Sequence, residues 1–158
     1  MHFVLGPISS RDRDWMEQGC VESVWKTLSP DQRRETNRDQ VLECVRTQVD
    51  RLRGSGGPPN AIIVGRTESG DPAGFVWVSI NRSSFTCRRE AIILMLFVQR
   101  PYRRKGLGGK LVKAAEDWAR RKGVERIGLN VGVRNIPADT LYERLGYERL
   151  STIRSKRL

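Results

Sequence analysis

The sequence predicts an α/β (α+β) domain built on a mixed, twisted sheet, with its elements in the order βααβββαβαβ. Eight consecutive apolar residues, Ala91–Val98, are typical of an interior strand that is covered on both faces. Apolar residues then recur at helical spacing from Leu111 to Ala119, which predicts an amphipathic helix directly after this strand. We expect about six to seven strands flanked by about four helices, in a single domain over residues 1–158.

The other elements follow from local signals along the chain. Serines precede the first two helical segments, where their side chains are suited to cap a helix, and Gly123 stands where a C′ glycine ends the central one. Residues 54–59 are rich in Gly and Pro and predict a mobile surface loop, and the polar residues 81–89 predict a turn. The predicted bounds are a strand at His2–Ile8, helices at Arg11–Leu28 and from Ser29 to Leu52 with an interruption near Asn37, strands at Ala61–Arg66, Ala73–Ile80, Glu90–Val98 and Arg126–Val133, a helix from Pro137 to Gly146, and a final strand at Tyr147–Arg154.

A short basic and Gly-rich segment joins the central strand to the central helix. It consists of Arg103, Arg104, Lys105, Gly106, Leu107, Gly108 and Gly109. The first N–H groups of a helix lack partners and carry partial positive charge, and glycines let an anion approach them closely. The segment therefore predicts a phosphate-binding helix start, with a plain basic surface turn as the alternative. It is neither a P-loop nor a dinucleotide fingerprint, because the Gly-Lys-Ser/Thr and the third glycine are missing.

Two motifs together resemble a known family. The spacing Arg103-x-x-Gly106-x-Gly108 after an apolar strand resembles the coenzyme A pyrophosphate motif of the GNAT N-acetyltransferases. A second segment, from Asn135 through Ala138 and Leu141-Tyr142 to Gly146-Tyr147, resembles the other signature of that family. The resemblance is close over about the last seventy residues. In the rest of the chain, only the order of helices and strands resembles the family. It implies a GNAT fold in which the central strand and the next one separate at their ends to form the cofactor cleft.

The resemblance also implies acetyl-CoA as cosubstrate and assigns roles to particular residues. Main-chain groups of Leu96, Phe97 and Val98 would pair with the pantetheine arm, and residues 103–109 would surround the pyrophosphate. The side chains of residues 96–98 need only be apolar, so core packing is compatible with that role.

For Asn135 and Tyr142 the resemblance implies a role at the cofactor, and each also has a structural alternative. Asn135 would lie near the pantetheine, or its side chain would cap the last helix in an Asx turn. Tyr142 would protonate or hydrogen-bond the departing thiolate, or it would be an aromatic core residue. A phenol of pKa about 10 is a weak acid towards a thiolate of about 8.5, so hydrogen bonding is the larger expected effect.

A general base is not evident. The places where some family members carry a Glu hold Ile92 and Asn130 here, and neither side chain is a useful proton acceptor. Glu90 shares the strand parity of Ile92 but lies about 6–7 Å further out, so it would act only through water or is simply a solvated charge. We expect a water chain, or an amine that is deprotonated in bulk solvent.

The first predicted helix combines acidic and aromatic residues, and in this family the acceptor site lies against the first two helices. The acidic residues are Asp12, Asp14, Glu17 and Glu22, and the aromatic ones are Trp15 and Trp25. Such groups suit a cationic amine, but acids in a first turn are ordinary dipole partners and tryptophan is usually core, which is the interpretation we favour. Nothing in these residues favours histone tails or aminoglycosides as acceptors.

The positive charge is confined to the second half of the chain. Residues 1–80 carry 10 Lys and Arg against 11 Asp and Glu, a net charge of −1, while residues 81–158 carry 19 against 7, a net charge of +12 that completes the overall +11. Such a field steers phosphate-rich ligands. It leaves open a weak polyanion contact, or simply an Arg-rich base composition, because no nucleic-acid motif is present.

The cysteines and the apolar segments exclude several classes of protein. Cys20, Cys44 and Cys87 are odd in number and widely spaced, and His2 is the single histidine, so we expect no metal site and reduced thiols in a cytoplasmic protein. No apolar run has membrane-spanning length, and no signal-peptide core is evident at the N-terminus.

The sequence thus predicts an N-acetyltransferase that moves acetyl from acetyl-CoA directly to a primary amine, without an acyl-enzyme. The acceptor would be a protein or peptide N-terminus or a small-molecule amine, and the enzyme a monomer or homodimer. The alternative is a non-catalytic GNAT-fold module that holds coenzyme A, or a nucleic-acid or polyanion partner on its basic C-terminal half.

Overall fold

The computed structural model describes residues 1–54, 56–84 and 86–156. Ser55 of the predicted 54–59 loop and Phe85 of the predicted 81–89 turn lie outside these residues. Regular structure within the described chain consists of five strands and five α-helices. In chain order these are β1 Val4–Pro7, α1 Arg13–Thr27, α2 Pro30–Glu35, α3 Arg38–Arg53, β2 Asn60–Arg66, β3 Pro72–Arg82, β4 Arg89–Val98, α4 Leu107–Arg121, β5 Ile127–Leu129 and α5 Ile136–Arg144.

The strands form one mixed sheet in the order β1-β2-β3-β4-β5. Neighbouring strands are antiparallel except β4 and β5, which are parallel. Helices α1 and α3 cover one face of the sheet, with Met16 and Val45 in the same buried cluster as Phe75. Helices α4 and α5 cover the other face, where Leu111 packs with Ile93. The predicted fold class and the buried central strand are therefore confirmed.

The helix starts follow the capping chemistry of the sequence. The Ser29 side chain accepts a hydrogen bond from the Gln32 N–H, and Pro30 is the first residue of α2. The Asn37 side chain accepts a hydrogen bond from the Gln40 N–H at 2.9 Å and begins α3. The predicted interruption near Asn37 is thus confirmed as a break between two helices, so the structure has five α-helices where about four were expected.

The expected number of strands is wrong, because the predicted strand Tyr147–Arg154 does not form. Residues 147–156 have no regular secondary structure, and the side chains of Leu150 and Ile153 are 77% and 81% exposed. The physical reason lies in the spacing of the apolar residues: Tyr147, Leu150 and Ile153 recur every third residue, and a strand needs a period of two to bury one face. The predicted strand Arg126–Val133 is also shortened, to Ile127–Leu129.

Candidate active site

The strands β4 and β5 separate after a short paired stretch and leave a cleft between them. They pair only from Ala91 with Ile127 to Ile93 with Leu129. The next residue, Leu94, is an extra residue in the ladder with β3, where the register shifts between Ile93 and Met95. Such a bulge bends the strand and increases its twist. The last five residues of β4, 94–98, therefore have no β5 partner, as the predicted separation requires.

The register with β3 shows which main-chain groups of β4 face this cleft. The Gln99 N–H donates to the Ala73 carbonyl at 2.9 Å, so by alternation Phe97 also exchanges its hydrogen bonds with β3. Leu96 and Val98 then direct their N–H and C=O groups away from β3, towards the edge that β5 leaves open. Of the three residues predicted to pair with a cofactor arm, Leu96 and Val98 direct their main-chain groups to the open edge, and Phe97 does not.

The N-terminus of α4 lacks the groups that usually satisfy a helix start. Its N-cap is Gly106, which has a φ of 81° and no side chain to bond the first N–H groups, and its first turn contains no acidic residue. By contrast, the other described α-helices each carry an Asp in the first turn. The first N–H to bond within α4 is that of Lys110, which donates to the Gly106 carbonyl at 3.2 Å. The helix start is therefore left open to an anion.

The basic residues before α4 surround this helix start. Arg104 takes a left-handed backbone conformation (φ 56°), which is uncommon for a residue with a Cβ and often accompanies a binding site. The Lys105 ammonium lies 5.9 Å from the ring centre of Tyr102. Arg103 donates from Nε to the Val98 carbonyl at 2.9 Å. The basic loop thus reaches the open edge of β4.

The glycines at the start of α4 leave free space, and Gly108 brings three elements together. A Cβ added to Gly106 or Gly109 would meet no atom within 4 Å. One added to Gly108 would lie 3.2 Å from Leu141 Cδ2 and 4.0 Å from Val98 Cγ2. The start of α4 therefore packs closely on α5 and on the end of β4, while Leu107 is buried and anchors the helix.

Tyr142 lies on α5 in the same apolar cluster as Leu96 and Val98. It is 8% exposed, its ring centre is 5.7 Å from that of Tyr147, and its hydroxyl makes no hydrogen bond to any described residue. Burial raises the pKa of Tyr142 to about 12. The predicted core position is confirmed, and the same hydroxyl keeps its proton and its capacity to donate.

Asn135 is the N-cap of α5, but its side chain does not cap the helix. The side chain makes no capping hydrogen bond, and only the main-chain carbonyl accepts, from Ala138 and Asp139. The residue is exposed. The Asx-turn alternative for Asn135 is therefore wrong in this structure, and its amide is free to contact a ligand.

The acidic residues of the first helical segment divide into structural ion pairs and one residue at the site. Asp12 pairs with Arg66, and the buried Glu17 bonds Arg13 and Arg46, so both stabilise the fold. Asp14 is exposed.

Glu22 is the acidic residue that reaches the site. It accepts from Lys26 at 2.6 Å and from Arg103 at 3.1 Å. The sequence placed Glu22 on the first helix but gave no signal for its contact with Arg103, because the two residues are 81 positions apart.

A cavity of about 350 Å³ opens beside Glu22, between α1 and the end of β4. Its walls include Trp15, Gln18, Phe97 and Gln99. The Trp15 ring packs edge-on against Phe75 and Phe97, with centre distances of 5.5 and 6.3 Å, so it is a core residue that also borders this cavity. The predicted combination of aromatic and acidic groups is thus brought together at one place, but through Trp15 and Glu22 alone.

Comparison with known proteins places the chain in a family. A model of the acetyltransferase (GNAT) family matches residues 18–147. The chain belongs to the acetyltransferase (GNAT) family. This confirms the resemblance and the acyltransferase class predicted from the two motifs, and GNAT proteins use acetyl-CoA as cosubstrate.

Individual relatives agree with this family. YhfO of Bacillus subtilis, an N-acetyltransferase by name, is 36% identical over 88 residues, which are 56% of this chain and 59% of the relative. The chain thus matches less than two thirds of that protein's length. The aminoglycoside N(6′)-acetyltransferase type 1 of Klebsiella aerogenes is 24% identical over 96% of this chain and 93% of its own. An acetyl transferase structure from Pyrococcus furiosus has a TM-score of 0.82 and 22% identity, covering 99% and 100% of the two chains, which shows the same fold.

A GNAT acetyltransferase has to remove a proton from the attacking amine. Of the three positions considered for a general base, Glu90 and Ile92 lie outside the open part of the cleft, and Asn130 lies where β5 ends. Glu90 precedes the paired stretch of β4 and β5, whereas the cleft begins at Leu94, about 13 Å further along at roughly 3.3 Å per residue. At this distance from the cleft, Glu90 fits the second of its two predicted roles, a solvated charge at the start of the strand. Asn130 is exposed where β5 ends, and Ile92 lies within the paired stretch.

The thiols of this GNAT chain differ in environment. Cys20 is buried, and burial raises the pKa of its thiol to about 12, while Cys44 and Cys87 are exposed. A thiol that stays protonated is a poor nucleophile.

The described residues hold neither a metal-binding cluster nor a membrane-spanning helix. They contain no group of three or more His, Cys, Asp or Glu that could hold a metal ion. Among the helices they form, none has the length and apolarity to cross a membrane.

Proposed function

We propose that residues 1–158 form a single N-acetyltransferase domain that moves acetyl from acetyl-CoA directly to a primary amine. The proposal rests on one observation: the uncapped, basic start of α4 lies next to the open edge of β4. Gly106 begins α4 without a capping side chain, and Val98 ends β4 with its carbonyl facing the cleft. The Arg103 Nε donates to that carbonyl at 2.9 Å.

Each part of acetyl-CoA has a matching set of groups on the chain. The pyrophosphate fits the N–H groups of residues 106–109, where the helix dipole and the side chains of residues 103–105 supply positive charge. The amides of the pantetheine arm fit the main-chain groups that Leu96 and Val98 direct to the open edge, as an added strand would. Phe97 contributes packing rather than hydrogen bonds, and we assign the exposed Asn135 amide to the arm.

Transfer to the amine balances without an enzyme-bound intermediate. The neutral amine attacks the thioester carbonyl, the carbon–sulfur bond breaks, and the departing thiolate takes up the proton that the nitrogen releases. Proton transfer from Tyr142 to the thiolate is uphill, because the pKa of Tyr142 is about 12 and that of a thiol about 8.5, a gap of about 5 kcal/mol. Tyr142 therefore stabilises the thiolate by donating a hydrogen bond, and water delivers the proton.

The acceptor is a primary amine, and a small-molecule amine is favoured over a protein N-terminus. The Klebsiella relative, which matches nearly the whole chain, is named for an aminoglycoside, itself a small-molecule amine. The 350 Å³ cavity beside Glu22 also suits a compact acceptor group. The carboxylate of Glu22 and the ring of Trp15 offer a cation two favourable contacts there.

An assay of thiol release tests the proposal. The protein is incubated with acetyl-CoA and a panel of polyamines, amino sugars, diamino acids and short peptides, and free thiol and the intact mass of each amine are followed. Amine-dependent thiol release with a gain of one acetyl group on a small amine is expected. Release that depends on no amine, or acetyl trapped on a cysteine as a competent intermediate, contradicts direct transfer.

A polyanion contact on the basic half remains a second, weaker proposal. Arg82 and Arg89 face each other across β3 and β4, and neither contacts a carboxylate within the described residues. Like charges opposite each other are unfavourable, and a phosphate would relieve them. Binding to duplex DNA whose log affinity falls with log salt at about −0.9 per phosphate supports the contact, and absence of binding at physiological salt removes it.

A further inference from the structure

The Arg103 side chain joins the end of β4 to α1 through two hydrogen bonds. Its Nε donates to the Val98 carbonyl at 2.9 Å, on the β4 side. Its Nη2 donates to Glu22 Oε1 at 3.1 Å, on the α1 side. The guanidinium thus lies at the open edge of β4 and links it to α1.

Both contacts compete with what the proposed function requires of this residue. The Val98 carbonyl is the acceptor assigned to a pantetheine amide, and the Arg103 guanidinium is assigned to the pyrophosphate. The contacts with Val98 and Glu22 occupy two of the guanidinium N–H groups and one lone pair of the carbonyl, so both pairings have to compete with them. Glu22 has a second partner, because Lys26 donates to the same oxygen at 2.6 Å. Glu22 therefore stays paired when Arg103 leaves.

We infer that Arg103 exchanges its partners Val98 and Glu22 for the pyrophosphate when the cofactor binds. The strength of the ion pair with Glu22 then determines how much binding free energy this exchange uses. In the free protein the Val98 carbonyl and the Glu22 carboxylate take the place of phosphate oxygens on the guanidinium. When coenzyme A binds, the pyrophosphate takes Arg103, and the Val98 carbonyl is released to the pantetheine arm. Glu22 is thus a positioning residue that acts through Arg103. The inference rests on the proposed function for the location of the cofactor.

The relative strengths of the contacts make the exchange favourable. The side chains of Arg103 and Glu22 are 39% and 33% exposed, and partly exposed ion pairs contribute little to stability. A guanidinium binds a phosphate through two parallel hydrogen bonds, and here the start of α4 already holds that phosphate. The gain at the pyrophosphate therefore exceeds the loss at Glu22.

The exchange also predicts a difference between coenzyme A and its fragments. Pantetheine lacks the pyrophosphate, so it competes with Arg103 for the Val98 carbonyl and offers the guanidinium no other partner. Coenzyme A competes for the same carbonyl, but its pyrophosphate gives the Arg103 guanidinium a new partner. The site therefore selects for the phosphate-bearing cofactor beyond the direct contribution of the phosphates, and removing Arg103 has opposite effects on the two ligands.

Calorimetric titrations of coenzyme A and of pantetheine test this inference with four proteins: wild type, Arg103→Gln, Glu22→Gln and the double variant. Arg103→Gln is expected to weaken coenzyme A binding by about ten-fold or more and to tighten pantetheine binding. Glu22→Gln is expected to tighten coenzyme A binding about two- to five-fold when Arg103 is present. In the Arg103→Gln background the same change is expected to have less than about half that effect.

The matched control is Asp14→Asn, which removes an exposed carboxylate from the same helix without touching Arg103. It is expected to leave both affinities nearly unchanged, and melting curves confirm that each variant is folded. If Arg103→Gln weakens both ligands equally, or Glu22→Gln acts equally in both backgrounds, the exchange is wrong while the cofactor site stands. If the wild-type protein binds no coenzyme A, the proposed function and the exchange both fail.

Discussion

Arg46 and Glu17 join α3 to α1 through a hydrogen bond of 2.9 Å from Nε to Oε2. Glu17 is 1% exposed and also accepts from Arg13 at 2.8 Å. Two of the three helices that precede β2 are thus tied together by a buried carboxylate between two cations. Because α1 carries Glu22 and one wall of the cavity, this ion pair also positions the site.

Glu17→Ala is expected to destabilise the fold without removing the cofactor site. The variant loses two charge-assisted hydrogen bonds, but both arginines can reach solvent, so the free energy of unfolding should fall by about 2 kcal/mol. For a domain of this size that lowers Tm by about 4–8 °C. Thermal melting measures the change, with Asp14→Ala as the control on the same helix. A fall of less than about 1 °C contradicts the structural role of Glu17.

The same carboxylate gives stability a defined pH dependence. Burial alone raises the pKa of Glu17, but hydrogen bonds from Arg46 and Arg13 outweigh burial and hold it below the ordinary 4.5. A carboxyl whose pKa is lower in the folded state contributes stability above its unfolded pKa and loses it as the pH falls through the folded pKa. We expect the slope of unfolding free energy against pH below about 4.5 to be smaller in Glu17→Gln than in the wild type. Equal slopes in the two proteins would show that a group other than Glu17 causes the loss of stability at low pH.

Tyr142→Phe is expected to lower kcat about ten-fold, the loss of a hydrogen bond of about 1.5 kcal/mol to a charged atom. The affinity for coenzyme A should stay the same, because the hydroxyl is assigned to the departing sulfur alone. With a pKa of about 12, Tyr142 stays protonated through the working range, so its titration should not shape the pH–rate profile. An alkaline limb near pH 9 that Tyr142→Phe abolishes would contradict this role.

The three thiols should separate in alkylation kinetics. Iodoacetamide is expected to modify the exposed Cys44 and Cys87 in the folded protein and to reach Cys20 only on unfolding, because burial raises the pKa of that thiol to about 12. Peptide mass mapping over a time course, with and without denaturant, measures the three rates. Modification of Cys20 at the rate of Cys44 in the folded protein would show that α1 does not bury it.

The sequence predicted those parts of the molecule that depend on local signals. The apolar run before Val98 and the helical spacing after Leu107 located β4 and α4, because each element buries a face that its own residues define. The capping chemistry at Ser29 and Pro30 located the start of α2 to the residue, and near Asn37 the sequence predicted an interruption but not the cap that begins α3. The glycines of the α4 start were likewise visible as a local pattern.

Features that depend on distant residues were missed. The contact between Glu22 and Arg103 joins α1 to the segment between β4 and α4, 81 positions apart, and no local pattern encodes it. Which of residues 96–98 faces the cleft follows from the register with β3, and that register includes a bulge that sequence periodicity does not show. The final strand Tyr147–Arg154 was predicted although its apolar residues lack the period of two.

The central claim is that the start of α4 holds the pyrophosphate of coenzyme A, and a series of thermal shifts tests it. Gly106 and Gly123 flank the same helix, both have a left-handed backbone (φ 81° and 70°), and an added Cβ would meet no atom within 4 Å at either. Gly106→Val and Gly123→Val should therefore cost similar stability from backbone strain, while only Gly106→Val places a Cβ where the phosphates would lie. Gly109→Ala adds a Cβ within the first helical turn.

Coenzyme A at about 100 times its Kd should stabilise the wild-type protein by about 2.7 kcal/mol and raise Tm by about 5–11 °C. We expect Gly123→Val to keep this shift, Gly109→Ala to keep most of it, and Gly106→Val to lose it while still melting cooperatively. An unchanged shift in folded Gly106→Val would show that the phosphates bind elsewhere and would contradict the account.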